Sequence, residues 1–134
     1  MKIILMQLTG RGGTQIYTSQ LANSLCNEKN NIILLLGSHL FDANMFENPQ
    51  LNLHLIATKA SYTFMFLRLV NPVTYYEIIE YIRKENPDVV HILFEDLISA
   101  IALSLLKFFG DYRIILTEHD PSLHAGENLF VRAN

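Results

Sequence analysis

Residues 1–17 read Met1-Lys2-Ile3-Ile4-Leu5-Met6-Gln7-Leu8-Thr9-Gly10-Arg11-Gly12-Gly13-Thr14-Gln15-Ile16-Tyr17. Ile3 to Met6, with Leu8, form a short apolar run of strand type that ends in the glycine-rich segment Gly10 to Gly13. Ile16, Tyr17, Leu21 and Leu25 then recur at helical spacing. Strand, glycine loop and helix in that order turn free backbone N–H groups, and the positive end of the helix dipole, toward an anion. Glycine lets such a ligand approach the backbone closely. The expectation is a ligand carrying phosphate, most simply a nucleotide. The other reading of the same residues is a tight strand-to-helix turn with no ligand.

Further along, Ile32-Ile33-Leu34-Leu35-Leu36 is an unbroken apolar run closed by Gly37-Ser38. Such runs suit parallel strands covered on both faces. Leu51, Leu53, Leu55 and Ile56 alternate with Asn52 and His54, which predicts a third strand with one polar face, near a sheet edge. Residues 61–70 predict a short aromatic helix. Asn71-Pro72 starts another, carried by Tyr75, Ile78, Ile79 and Ile82 and ended by Asn86-Pro87-Asp88. A fourth strand is expected over Val89 to Phe94. A helix over Leu97 to Phe109 follows, with Gly110 as its left-handed stop. Arg113 to Thr117 predicts a fifth strand, left through Glu118-His119-Asp120-Pro121.

This alternation places the chain in the α/β class, as one doubly wound, Rossmann-like parallel sheet over residues 1–134 with strand order 3-2-1-4-5. Ligands of such sheets bind beyond the strand carboxyl ends where the winding reverses, here between the first and fourth strands. Gly10 to Thr14, Glu95 and Asp96 fall at that point, with Thr117 to Asp120 alongside.

Composition narrows the partners. The net charge is −3, and among the ten Lys and Arg residues only Arg83 and Lys84 are adjacent. A nucleic-acid surface needs a clustered basic excess, so no nucleic-acid partner is expected. Cys26, the single cysteine, forms no internal disulfide, and no Cys/His spacing suits zinc. It reads as a reduced, small apolar residue of a cytosolic protein. Met1-Lys2 leads directly into the first strand without a cleavage site, so no signal peptide is expected. The longest apolar helix, Leu97 to Phe109, has 13 residues, whereas a membrane span needs roughly 20.

The glycine loop itself discriminates among ligands. A P-loop ends in Gly-Lys-Ser/Thr, and no lysine follows Gly13. A dinucleotide fingerprint needs a third glycine where Gln15 stands, and an acidic residue where Gly37-Ser38-His39 stands.

Met1-Lys2-Ile3-Ile4, Gly10-Arg11-Gly12-Gly13, Asn86-Pro87-Asp88-Val89-Val90-His91 and Thr117-Glu118-His119-Asp120 together resemble, in order and spacing, the amino-terminal domain of family 4 glycosyltransferases. These are retaining enzymes of the GT-B fold, and the resemblance covers nearly the whole chain. It implies that this domain holds a saccharide or lipid-linked acceptor, while a carboxyl-terminal domain holds the nucleotide-sugar donor. Gly12, Gly13 and Thr14 would then face the donor's phosphates and sugar across the cleft, where the leaving diphosphate gains charge. His119 matches a histidine near the transferred sugar and is the catalytic candidate, as a positioning group and not a general base. No cofactor and no metal are implied, the nucleotide-sugar being a substrate. Two departures stand out. Thr14-Gln15 occupy the place where many relatives have a glutamate or a similar residue, and the Glu-x7-Glu donor motif has no counterpart before Asn134. The chain is therefore expected to be the acceptor half of a longer protein and inactive alone.

Glu95, Asp96 and Glu118 are candidates for the acceptor hydroxyls, with Asp96 equally suited to cap the following helix. His91 reads as part of the strand's structural pattern, His39 and His124 as surface residues, and Arg11 as solvated. The aromatic stretch Tyr62 to Arg68 is expected to pack within the protein. If the acceptor is lipid-linked, it would instead touch the inner face of a membrane. The rivals are a stand-alone, flavodoxin-like nucleotide- or phosphate-binding module and a nicotinamide-dependent oxidoreductase.

Overall fold

A computed structural model of the chain describes residues 1–9, 13–38, 45–46, 48–57, 71–94 and 96–117. Five parallel strands, β1 (Lys2–Gln7), β2 (Asn31–Gly37), β3 (Asn52–Ile56), β4 (Val89–Ile92) and β5 (Ile114–Leu116), form one sheet in the order β3-β2-β1-β4-β5. The described helices are α1 (Gly13–Leu25), α2 (Pro72–Glu85) and α3 (Leu97–Phe109). The α/β, Rossmann-like architecture and the strand order are those the sequence predicts.

Alternation along β1 explains why both faces must be covered. Ile4, Met6 and Leu8 join β2, β4, α2 and α3 in one core, while Ile3 and Leu5 join Leu34, Leu36 and Ala22 of α1 in the other. Every one of these side chains is at most 4% exposed, and each Ile, Leu or Met so buried contributes about 1.5–3 kcal/mol. An unbroken apolar run is thus two alternating faces, each under its own helix layer.

The edges differ from expectation in instructive ways. β3 is indeed an edge strand, but its polar face is the covered one. His54 stacks on Tyr81 of α2 with ring centroids 3.8 Å apart, while Leu53 and Leu55 are more than a third exposed. β4 ends at Ile92, two residues earlier than predicted. β5 is shorter too, yet its ladder is not: Val90 N donates to Arg113 O and Thr117 N to Ile92 O, both at 2.9 Å.

Helix ends also need one correction. Gly110 is not left-handed: its φ of 172° is extended backbone that any residue adopts. A Cβ there would lie 3.0 Å from the Tyr112 ring, a tight contact that the ring would have to yield to. Among the described residues the left-handed non-glycine residue is Asn86 (φ 45°), which closes α2 with its N–H on Ile82 O. Asparagine tolerates that region, and Pro87 disfavours continuing the helix through it. At the other end of α2, Asn71 accepts from Val73 N, and Pro72 opens the first turn. The predicted helix over residues 61–70 lies outside the described residues.

At the sheet's amino edge Lys2 N donates to Asp88 Oδ2 (2.7 Å) and Lys2 Nζ to Glu85 O (2.7 Å), tying β1 to the turn before β4. The accompanying Lys2–Glu85 ion pair is 3.4 Å long and partly exposed, so it adds little beyond the two hydrogen bonds.

The burial difference gives a direct test. Leu5→Ala is expected to lower the unfolding free energy by about 2–5 kcal/mol in denaturant titration. Leu55→Ala, on the exposed face of the edge strand, is expected to cost clearly less. Equal losses would contradict the two-layer core.

Candidate functional site

The carboxyl ends of β1 and β4 meet α1 and α3 at the point where the winding reverses. β1 ends in Gln7, which alternation places on the α1 side of the sheet, where it is 1% exposed. A buried amide has to be paired, and this one is paired at both ends. Gln7 Nε2 donates to Thr14 Oγ1 (2.9 Å), and the Thr18 hydroxyl donates to Gln7 Oε1 (2.6 Å) while lying 2.9 Å from the Thr14 carbonyl. Thr18 is itself fully buried. The strand end is thereby fixed to the first turns of α1.

Gly13 opens that helix. A Cβ built on it would meet nothing within 4 Å, and its φ lies outside the left-handed region. Neither crowding nor backbone conformation therefore demands glycine at residue 13, which is exposed at the start of α1. Two residues beyond β1, Thr9 Oγ1 is buried without a hydrogen-bond partner among the described residues. Buried hydroxyls are rarely left so.

Across the switch point Asp96 caps α3: Oδ1 accepts from Ser99 N (2.9 Å) and Oδ2 from Ser99 Oγ (2.8 Å). Its backbone is extended, as an N-cap requires. Tyr75 of α2 lies close enough that burial, with the Asp96 carboxylate as a second cause, raises its phenol pKa. Both carboxylate oxygens thus have a structural use, the alternative that the sequence offered for Asp96.

His91 is half-buried on the α1 side of β4, and its Nε2 lies 2.7 Å from Thr117 Oγ1. The ring ties β4 to the last described residue before Glu118-His119-Asp120. Burial holds its imidazole below the ordinary value of 6.5.

Of the predicted site residues, Gly13, Thr14 and Asp96 line this edge, with Gly13 and Thr14 at the α1 start and Asp96 at the α3 start. Gly12, Glu95, Glu118 and His119 lie outside the described residues, as do Arg11, His39 and His124. Sequence reading passed over Gln7 and Thr18. Their signal was a polar residue closing an apolar strand and a hydroxyl one turn into the helix. Among the described residues no three His, Cys, Asp or Glu side chains gather as a metal ion would need. No described helix is long and apolar enough to cross a membrane.

No protein-family description matches the chain, and no curated protein matches its sequence. Solved structures do share its fold. A protein assigned as a UDP-N-acetylglucosamine 2-epimerase, from Listeria monocytogenes, superposes with a TM-score of 0.56 at 20% identity, over 87% of this chain and 30% of its own. The lipopolysaccharide outer core galactosyltransferase WaaB, in its apo form, gives 0.57 at 17% identity, over 87% of this chain and 32% of its own. UDP-GlcNAc 2-epimerase from Methanocaldococcus jannaschii gives 0.50 at 21% identity, over 98% and 33%. The fold is therefore a Rossmann-like parallel sheet that matches GT-B-type structures, and the chain spans about a third of their length.

The His91–Thr117 contact makes a prediction about acid. Below about pH 6.5 the unfolded chain takes up a proton at His91 that the folded chain refuses until lower pH, so acidification destabilises the fold. Between about pH 7.5 and about pH 5.5 the denaturant midpoint is expected to fall. The fall should be smaller in His91→Gln, whose amide still reaches toward Thr117. Identical pH slopes in the two proteins would remove His91 from this role.

Proposed function

We propose that this chain is the acceptor-side, amino-terminal domain of a retaining glycosyltransferase of the family 4 type. The observation that carries the reading is the open approach to the α1 amino terminus at Gly13, at the winding reversal of a GT-B-type sheet. In this reading the N–H groups of Gly12, Gly13 and Thr14 face the diphosphate of a nucleotide-sugar donor. Charge that develops on the leaving group is met by the helix dipole and by donors already held in place. The Thr14 hydroxyl accepts from Gln7, so its main part is to anchor the turn while its backbone serves the ligand.

His119, two residues past Thr117, positions the transferred sugar. Glu95 and Glu118 take hydroxyls of a saccharide or lipid-linked acceptor, and Asp96 holds the start of α3 beside them. The donor's nucleotide and the rest of the transfer machinery belong to a carboxyl-terminal domain. The protein works in the cytoplasm, in the assembly of polysaccharide, and touches a membrane only where its acceptor is lipid-linked. A second reading, epimerisation of a nucleotide-sugar, is favoured by the two epimerase structures among the neighbours. It places the same diphosphate at the same helix.

The test is a ¹⁵N NMR titration of the chain with UDP and, separately, with uridine. UDP is expected to shift the amides of Gly13 to Ile16 with weak, roughly millimolar affinity, as half of a divided site would, and uridine is expected not to. Gly13→Ala, whose Cβ meets nothing in the fold, should keep the spectrum of the sheet and weaken the response. No response to UDP at any concentration overturns the reading. Micromolar binding by this chain alone replaces it with a stand-alone binding module, and tight binding of NADH replaces it with an oxidoreductase.

A further inference from the structure

α3 buries Ile98, Ser99, Ala102 and Leu106 against the sheet. On its other side stand Leu97, Ile101, Ser104 and Phe108, spaced four, three and four residues apart, with Ile101 also packed in part against the core. That spacing makes one seam along a helix. Phe108 is 84% and Leu97 51% exposed, Ser104 is exposed and Ile101 half-buried. Lys107 is the single charged residue in the helix. The neighbouring α2 covers the same face of the sheet; it exposes Val73 and Tyr76 near its start but turns Glu77, Glu80, Arg83 and Lys84 outward along the rest of its length. The outward face of α2 carries four charged residues, while that of α3 carries one beside an apolar seam.

We infer that a second copy of this chain covers the seam, with the two α3 helices antiparallel across a twofold axis. A four-three-four spacing reads the same from either end, so the seam is complementary to itself, as a twofold contact requires. In the antiparallel register Leu97 of one copy meets Phe108 of the other, and Ile101 meets Ser104, a bulky side chain against a small one. The same register brings Lys107 at the end of one helix to Asp96 at the start of the other, twice over. The opposed helix dipoles add to that attraction. One helix pair is small beside the roughly 1,200–2,000 Å² of a standard interface, so the dimer is reversible and its population rises with concentration.

Sedimentation velocity tests this on the 134-residue chain between about 10 µM and about 1 mM. The expected result is a monomer that gives way to a dimer as concentration rises. Phe108→Glu, at a side chain that contributes little to the core, should weaken the association at least about tenfold without changing the far-ultraviolet circular dichroism. Lys107→Glu should weaken it too, by setting like charges against Asp96. A monomer at every concentration overturns the inference, as does association that Phe108→Glu leaves unchanged. Co-sedimentation of the chain with phosphatidylglycerol vesicles, lost in Phe108→Glu and seen without any dimer, overturns it in favour of a lipid surface.

Discussion

The side-chain amide of Gln7 is the constraint on which the rest of the site depends. It is buried between the sheet and α1, and its donor and acceptor ends are satisfied by Thr14 and Thr18. Leaving either end unmet would cost about 1–3 kcal/mol, so the first turn of α1 has one place relative to the end of β1. Apolar burial holds the helix against the sheet but does not fix its register along the strand. The amide supplies that register, and with it the direction of the N–H groups at Gly13 and Thr14.

The polar side chains are unevenly distributed in consequence. Gln7, Thr14, Thr18, Asp96, His91 and Thr117 all gather where the strands end: the first three fasten α1, His91 and Thr117 join β4 to the exit of β5, and Asp96 caps α3. The opposite edge is tied through Lys2, Asp88 and Glu85, largely at the surface. The middle of the sheet is apolar on both faces. Side chains bonded in this way at the strand ends hold the start of α1 in place, as the role proposed for its donors requires.

What was legible in the sequence follows from the same physics. The apolar runs at residues 3–6 and 32–36 announced parallel central strands, because only burial on both faces tolerates them, and the strand order followed from the alternation with helices. Asp96 could be read as a cap because capping is local. Gln7 could not be read as a brace, since its partners are set by how α1 lies on the sheet. The polar face of β3 was misleading for a similar reason: His54 is covered by Tyr81 of α2, a contact no local pattern contains. Gly110 has the sequence context of a left-handed helix stop, but its backbone is extended and its close neighbour is the Tyr112 ring, brought back by the chain two residues on. Local rules thus recovered the architecture, while the bonds that arrange the site depend on packing.

The most direct test of this account is hydrogen exchange on Gln7→Leu, which keeps the volume and removes both hydrogen bonds. The account predicts faster exchange of the amides around Thr18, in the second turn of α1, with β1, β2 and β4 still protected. Unchanged protection at Thr18 would contradict the claim that the buried amide fixes the helix start, and a general loss across the sheet would show that Gln7 serves the core and not the site.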